Sequence, residues 1–197
     1  MKGRVLHRDI SEGNVMLYRV RDEVNGVLLD FDNASPVDHN GDVITSGAQQ
    51  RTGTAPFMAY DLLSTEHPPH LYRHDLESFL YFLVWAATHF DLPNKRRLPI
   101  SPELGKWNAE VESQFEKAKN SKYHFLMSMS GATSVWAECR PEFKPLLKTW
   151  VQPLRNLFKE VFRKFDDGEA EDIKTCDGLI TFETFMKALG VQPRKWD

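Results

Sequence analysis

Cysteine, net charge and long apolar runs are all scarce in this chain of 197 residues. Its two cysteines, Cys139 and Cys176, have no close spacing and no CxxC pattern, which indicates reduced thiols rather than a disulfide framework. The formal net charge of −3 gives no support for binding nucleic acid or an anionic membrane surface. The longest apolar run, Phe79 to Ala87, is nine residues long, whereas a membrane-spanning helix needs about 20.

A signal peptide and a glycine-rich phosphate loop are also missing from the sequence. Charged and polar residues interrupt the N-terminal segment too early for a secretory apolar core (Arg4, His7, Arg8 and Asp9). The eleven glycines form no G-x-G pair, and no G-x-x-x-x-G-K loop is present. We therefore expect a soluble intracellular protein of one domain, cytoplasmic or nuclear.

What the chain does carry is a group of oxygen-bearing side chains near its N-terminus. Asp9 and Asn14 stand five residues apart in the run HRDISEGN, and Asp30 follows in the run LLDFD. A tight loop can aim the side chains of Asp9 and Asn14 into one space, and a short strand can deliver Asp30 beside them. Such a set suits phosphoryl transfer, in which one carboxylate orients the attacking hydroxyl and the other oxygens bind Mg²⁺.

The hydrophobic pattern predicts a mainly α fold with one small β-hairpin. Short β-favouring runs at 15–18 and 27–29 flank a charged turn and predict the hairpin. A polar stretch over 33–54 predicts a long loop. Residues 73–86 are apolar almost all round, which predicts a helix buried in the core.

Further helical segments are expected toward the C-terminus. Residues 107–119 have apolar positions at helical spacing among charged ones, which predicts a surface amphipathic helix. Residues 141–165 predict two helical pieces with a break or kink at Pro153, since proline inside a continuous helix costs about 3 kcal/mol. A last short helix is predicted from near Thr181, a suitable N-cap, to Leu189, after which a glycine provides a stop.

The same residues resemble the second half of a protein kinase. The run from His7 to Asn14 is similar to the catalytic loop H-R-D-x-x-x-x-N, and Asp30-Phe31 is similar to the start of the metal-binding D-F-G. The run GTAPFMA at 53–59 and the run HDLESFLYFLVW in the predicted buried helix complete the resemblance. These runs are most similar to those of the fungal-type protein kinases, a branch of the eukaryotic protein-kinase superfamily. The resemblance is strong over 4–90 and weaker to about 165.

This resemblance implies a kinase-like C-terminal lobe over 1–165, truncated at its N-terminus, and a C-terminal extension with a short helix over 166–197. The Gly-rich loop, strand lysine and helix glutamate of a kinase N-terminal lobe cannot be placed in this chain. We therefore expect a C-lobe lacking the N-lobe. We also expect the isolated chain to bind MgATP weakly and to be inactive alone, because the preorganised charges around ATP are missing.

For the reaction, the resemblance implies the cofactors ATP and Mg²⁺ and a set of residue roles. Asp9 would align the substrate hydroxyl, and Asn14 and Asp30 would hold Mg²⁺ and so bind the cofactor. Thr54 would hydrogen-bond the catalytic aspartate, as in Ser/Thr-directed kinases. Arg8 would pair with a phosphorylated residue of the following loop, for which the candidates are Thr45, Ser46 and Thr52.

Further residues are implied as structural support for this group. Asp75 would tie down the backbone of the catalytic loop from the buried helix, and His7 belongs to that loop. A buried carboxylate of this kind is tolerated only when several N–H groups satisfy it. Asp61 stands where A-P-E has its acid and would pair with Arg140.

Two departures from the kinase pattern and two other site types bear on the interpretation. Ser11 stands where many kinases have a lysine that contacts the γ-phosphate, and Asp32 replaces the glycine of D-F-G. Zinc binding is not expected, because no cysteine or acid completes the histidine set (His67, His70 and His74). The acidic stretch 166–169 does not fit a calcium loop.

Three functions are open from the sequence alone. The first is a protein kinase that phosphorylates Ser or Thr of a protein substrate. The second is a lobe-only pseudokinase or regulatory interaction module that binds a protein partner. The third is a small-molecule phosphotransferase, although Gly53-Thr54 and Asp75 resemble protein-substrate kinases more closely. The sequence leaves the substrate, the pathway and the oligomeric state open.

Overall fold

A computed structural model describes residues 4–44 and 52–193 of the chain. The described residues are mainly helical, and their strands form two-stranded antiparallel sheets. The predicted mainly α fold with a small hairpin is therefore confirmed. Within the described ranges, no helix is both long and apolar enough to cross a membrane.

The strands and helices follow one another along the chain without a repeat. The strands are β1 (Val5–Leu6), β2 (Val15–Val20), β3 (Glu23–Leu28), β4 (Ser35–Pro36), β5 (Phe90–Asp91) and β6 (Arg96–Arg97). The α-helices are α1 (Tyr72–His89), α2 (Pro102–Gly105), α3 (Glu112–Met127), α4 (Met129–Glu138), α5 (Lys144–Leu146), α6 (Gln152–Asp166) and α7 (Phe182–Leu189).

The predicted hairpin is present, and its strands are longer than the two apolar runs. Strands β2 and β3 pair antiparallel, with Val20 opposite Glu23. The connecting turn is therefore Arg21-Asp22, and Arg21 adopts a positive φ of 54°, which a two-residue hairpin turn commonly requires. Most side chains of both strands are exposed.

The polar stretch after the hairpin contains short pairings that the loop prediction over 33–54 did not include. Strand β4 pairs with β1, and Val37 forms a bridge with Val43. The pairing of β1 with β4 joins residues about thirty positions apart, and so no local pattern reveals it. The rest of the predicted loop, at 45–51, lies outside the described residues.

The predicted buried helix is confirmed as α1, which is longer at both ends than the apolar run. Its side chains at 80, 81, 84 and 87 have no solvent exposure, and they lie at the centre of the main hydrophobic core. Helix α6 packs against the same core through Leu154, Phe158 and Val161. The core thus packs around α1, and three residues of its first turn are themselves buried (Arg73, His74 and Asp75).

The predicted surface helix over 107–119 was wrong in its start and its end. The helix begins at Glu112 and continues to Met127, while Trp107 lies before it in the turn that follows α2. Trp107 is fully buried, with its ring 5.2 Å from that of Tyr81 and 5.4 Å from that of Phe125. Its apolar character therefore serves the core and not a helix face.

The helical region around Pro153 is continuous, with a change of hydrogen-bonding pattern in place of a full break. A π-helical turn at Leu147–Val151 leads directly into α6, and Pro153 lies in the first turn of that helix. Proline is tolerated there because the N–H that it lacks has no partner within the helix.

The last helix is confirmed at the predicted position. Thr181 caps α7 by accepting a hydrogen bond from Thr184 N at 3.2 Å, and Gly190 ends the helix with a φ of 67°. Cys176 and Phe185, which lie in the predicted extension, belong to the same core as α1 and α6. In the part of the chain that the structure describes, both cysteines are buried free thiols. The domain division after residue 165 stays a prediction.

Candidate active site

The backbone of the catalytic loop is held by a carboxylate in the first turn of α1. Asp75 Oδ2 accepts a hydrogen bond from His7 N at 2.7 Å, and Asp75 Oδ1 accepts one from Arg8 N at 3.1 Å. A third bond joins Asp75 Oδ1 to His70 Nε2 at 2.9 Å. These bonds satisfy a carboxylate that is only 5% exposed, and Arg8 is held at a positive φ of 69°.

His7 connects the catalytic loop to the end of the hairpin. Its Nε2 donates to Leu29 O at 2.9 Å, and its Nδ1 accepts from Asp9 N at 3.4 Å. The edge of the buried ring packs against Phe31, with 4.9 Å between ring centroids. The residues on both sides of Asp30 therefore contact the same imidazole.

The side chain of Asp9 is bound twice by Thr54. Thr54 N donates to Asp9 Oδ1 at 3.0 Å, and Thr54 Oγ1 donates to the same oxygen at 2.9 Å. Gly53 makes this approach possible, because it has a φ of 114° and a Cβ there would lie 3.1 Å from Arg8 O. Both donors fall on Oδ1, so that Oδ2 is the oxygen of Asp9 available to a further donor.

Asn14 joins the catalytic loop to the hairpin. Its side-chain Nδ2 donates to Asp9 O at 2.9 Å, and its backbone O accepts from Leu29 N at 2.8 Å. Asp30 follows directly, exposed and with a positive φ of 58°. Asp9 and Asn14 are thus joined by a hydrogen bond, and Asp30 directly follows Leu29, whose N–H bonds to Asn14 O.

The oxygens of Asn14 and Asp30 are of the kind that bind hard divalent cations. Because Asn14 Nδ2 is bound to the loop backbone, the amide presents Oδ1 as its remaining acceptor. Asp30 Oδ1 accepts a long bond of 3.4 Å from Asp32 N, and its carboxylate is otherwise open to solvent. Among the described residues, no group of three or more His, Cys, Asp or Glu side chains could hold a metal ion. A cation site here would therefore need the amide oxygen of Asn14 together with the carboxylate of Asp30.

Comparison with known protein families gives a match over the part of the chain that contains this group. Residues 1–87 match a family model described as fungal protein kinase. Residues 1–87 are therefore similar to fungal protein kinases. The match supports a kinase-like function, and it includes every hydrogen-bonding residue described above. No curated protein matches the chain significantly.

A positive φ occurs within the run that resembles the metal-binding motif, but not at the position of the motif's glycine. Asp32 stands where D-F-G has its glycine, the residue that most readily adopts a positive φ. The residue with the positive φ is Asp30 itself, two positions earlier. Aspartate tolerates that region better than most residues, and so the replacement at 32 does not strain the backbone there.

The predicted pairing of Asp61 with Arg140 was wrong. Asp61 Oδ2 pairs with Arg73 Nη2 at 2.5 Å and lies 3.6 Å from His74 Nε2. Arg73 is in the first turn of α1, beside Asp61, whereas Arg140 pairs with Asp91 and Glu142 at the far end of that helix. Although burial opposes it, the neighbouring His74 and Arg73 hold the pKa of Asp61 below its ordinary value.

Arg8 is buried against the stretch that follows the hairpin. Its Nη1 donates to Ser35 Oγ at 2.9 Å and to Asn33 O at 3.4 Å. Burial lowers the pKa of Arg8, and the charge of Asp75 works in the opposite direction. Of its three predicted phosphorylated partners, Thr52 is half-buried, while the other two lie outside the described residues (Thr45 and Ser46).

Two buried charged residues near this group were missed from the sequence. Lys122 of α3 and Glu77 of α1 are fully buried, and both bind the segment that follows Thr54. Glu77 lies within the predicted buried helix but was not singled out, and Lys122 lies beyond the end of the predicted helix over 107–119. A signal was present for Lys122, since it lies four residues after Ala118 and three before Phe125, both of which are buried.

Proposed function

We propose that the chain carries the catalytic-loop half of a protein kinase that transfers the γ-phosphate of ATP to Ser or Thr hydroxyls of a protein substrate. The observation that supports this most strongly is the pair of hydrogen bonds from Thr54 to Asp9, in which the backbone N–H and the hydroxyl both donate to Oδ1. Such a contact leaves Oδ2 to accept a hydrogen bond from an incoming hydroxyl.

In this proposal Asp9 accepts a hydrogen bond from the substrate hydroxyl and aligns its oxygen for attack on the phosphate. The aspartate needs a fixed orientation to do this, because a misplacement of about 1 Å can cost roughly 100-fold in rate. Asp75 holds the backbone of the loop and Thr54 holds the side chain, so that Asp9 is constrained from two sides.

Asn14 Oδ1 and the Asp30 carboxylate are the residues that would hold Mg²⁺. When bound, Mg²⁺ neutralises charge on the phosphates of ATP. The contribution of the chain is to keep the two oxygens at the base of the hairpin, where Asn14 bonds both to the catalytic loop and to Leu29.

Phosphorylation of the following loop is part of the same proposal. A phosphate on Thr45, Ser46 or Thr52 would bring negative charge to Arg8, whose guanidinium is buried beside Ser35. The phosphate would then connect the loop to the residue next to Asp9.

The metal part of the proposal is tested with Mn²⁺, which replaces Mg²⁺ and broadens NMR signals of nearby nuclei. We expect Mn²⁺, with or without ATP, to broaden first the side-chain amide of Asn14 and the backbone amide of Asp30. Asp30→Asn should weaken the effect at least about tenfold, as expected for loss of one charged ligand. The control Asp22→Asn, at the exposed hairpin turn, should leave it unchanged. Broadening confined to 166–177 would contradict the proposal.

The transfer itself is tested with radiolabelled ATP and a mixture of protein substrates. We expect phosphate on Ser and Thr, and a fall of at least about 100-fold in rate for Asp9→Asn. This activity is expected from a longer natural chain that also contains an ATP-binding lobe, and the 197-residue chain assayed beside it should show little or no transfer. Transfer to tyrosine alone, or to small hydroxylated molecules alone, would contradict the proposed substrate class.

A second candidate function is binding of a protein partner through the hairpin, as in a regulatory module. Strands β2 and β3 expose several large apolar side chains, with Leu17 69% exposed and Val20 53% exposed. Clustered exposed apolar residues are typical of interaction surfaces. Leu17→Asp would disrupt such binding and leave the response of Asn14 and Asp30 to Mn²⁺ intact, which separates the two candidates.

A further inference from the structure

A fully buried lysine closes the backbone turn that begins at Thr54. Lys122 Nζ donates to two backbone carbonyls, Ala55 O at 2.9 Å and Met58 O at 2.5 Å. Within the turn, Phe57 N and Met58 N both donate to Thr54 O, at 2.9 and 3.1 Å. The ammonium group therefore binds the same turn from the side of the core.

A fully buried glutamate binds the next part of this segment. Glu77 Oε1 accepts hydrogen bonds from Tyr60 N at 2.8 Å and from the Tyr81 hydroxyl at 2.6 Å, while Oε2 has no partner among the described residues. The ring of Tyr81 faces Lys122 Nζ at 4.2 Å, and the ring of Trp107 faces it at 5.8 Å. Tyr81 thus connects the two charged side chains.

Both side chains are held where charge is costly. Burial lowers the pKa of Lys122 to about 7, an effect that Glu77 opposes. Burial raises the pKa of Glu77 to about 7, where Asp61 acts in the same direction and Arg73 in the opposite one. Buried groups of this kind are tolerated when they are hydrogen-bonded, and most of their bonds here go to the backbone of 55–60.

We propose that Lys122 and Glu77 are positioning residues for the catalytic aspartate. By holding 55–60 from the core side, they set the position of Thr54, which in turn binds Asp9. The inference rests on the proposed function for its meaning in catalysis, whereas the contacts do not depend on it. Lys122 lies outside the residues that match the kinase family, so that the second half of the chain contributes to the site.

The first test measures whether the NMR signal of the Thr54 amide still responds to removal of the Asp9 carboxylate when the lysine is replaced. Asp9→Ala removes the acceptor of the Thr54 N–H and should shift the NMR signal of that amide. In a Lys122→Met background we expect this response to fall to less than about half, since the turn is no longer held. The matched control is Lys117→Met, an exposed lysine on the same helix, which should leave the response unchanged.

The second test measures hydrogen exchange in the turn. The amides of Phe57 and Met58 should exchange at least about tenfold faster in Lys122→Met, as expected for the loss of a hydrogen bond to a charged group. Protected amides in α6 should keep their rates. A folded Lys122→Met protein with unchanged exchange and an unchanged Thr54 response overturns the proposal.

Glu77 is tested with a pair of variants that differ in their ability to accept a hydrogen bond. Glu77→Gln keeps an acceptor for Tyr60 N and should retain the response of Thr54 to Asp9. Glu77→Leu removes the acceptor and should reduce the response as Lys122→Met does. Equal behaviour of the two variants contradicts a positioning role for the carboxylate.

A measurement on the unaltered protein decides the matter if Lys122→Met fails to fold. Scalar couplings across the hydrogen bonds should connect Lys122 Nζ with the carbonyl carbons of Ala55 and Met58 at slightly acidic pH. A rapidly exchanging ammonium group without these couplings overturns the proposal. The absence of a Mn²⁺ response at Asn14 and Asp30 would instead count against the proposed function, and so the two failures are distinguishable.

Discussion

The two sides of the proposed site are supported in different ways. Asp9 lies on a loop that is tied to Asp75 in the buried helix α1, and its side chain is bound by Thr54. Asp30 instead follows a hairpin whose side chains are mostly exposed. A two-stranded hairpin is at best marginally stable by itself. The side that would orient the substrate is therefore part of the core, while the side that would bind metal is attached to the least supported element.

This difference corresponds to the sequence separation of the contacts. The bonds that hold the loop and Asp9 join residues 68 and 45 positions apart, and they exist only when the core is folded. The hairpin is held by its own local ladder, with links from His7 and Asn14 to Leu29 at its base. Changes in the core should therefore affect the whole protein, and changes in the hairpin should stay local.

The largest expected effect comes from removing the carboxylate that anchors the loop. Asp75→Ala leaves the buried N–H groups of His7 and Arg8 without an acceptor, which should lower the free energy of unfolding by about 3–5 kcal/mol. Urea unfolding at neutral pH measures the change. Asp22→Ala, at the exposed hairpin turn, should change it by less than about 0.5 kcal/mol. Equal losses for the two variants would remove the contrast between core and hairpin.

Glu77 is also buried in α1, and we expect it to make the free energy of unfolding depend on pH. Burial raises its pKa from 4.5 to about 7, so that the folded state holds a proton which the unfolded state releases. Its contribution to stability is thus complete below about pH 4.5 and is lost as the pH rises to about 7. Glu77→Gln should lack this loss, and the difference between the two proteins should change by roughly 3 kcal/mol over that range. If the difference in the free energy of unfolding between the two proteins does not change with pH, the raised pKa of Glu77 is contradicted.

A smaller effect is expected at the contact between the loop and Thr54. Thr54→Val removes the hydroxyl that bonds Asp9 Oδ1 and should lower the free energy of unfolding by about 1 kcal/mol. Thr54→Ser keeps the hydroxyl and should stay close to the wild-type value. Thermal unfolding of both variants gives the comparison. A larger loss for the serine variant would mean that the methyl group, and not the hydroxyl, carries the contact.

The smallest effect is expected in the hairpin and has the opposite sign. Arg21 has a positive φ, a conformation that glycine adopts without strain, and so Arg21→Gly should stabilise the hairpin by roughly 0.5–1 kcal/mol. Slower hydrogen exchange of the β2 and β3 amides should report this gain, while the amides of α1 stay unchanged. A change of equal size in α1 would show that the hairpin is coupled to the core more tightly than its contacts indicate.

Much of the fold was predictable from local patterns. The buried helix α1 follows from its continuous apolar run, and α7 follows from the cap at Thr181 and the stop at Gly190. Asp9, Asn14 and Asp30 were singled out because they lie close in sequence, and their common site stays a prediction. The predictions that failed concerned 107–119 and the partner of Asp61. Both depended on contacts between residues that are distant in sequence, which a local pattern does not reveal.

By itself, the sequence determined the kinase-like motif, the mainly α class and the helices whose apolar pattern is strong. Only the tertiary structure decided that Lys122 and Glu77 are buried, that Arg73 and not Arg140 pairs with Asp61, and that Trp107 leaves its predicted helix for the core. The physical reason is that local patterns depend on neighbours along the chain. The cost of a buried charge, by contrast, depends on partners that only the folded chain brings within reach.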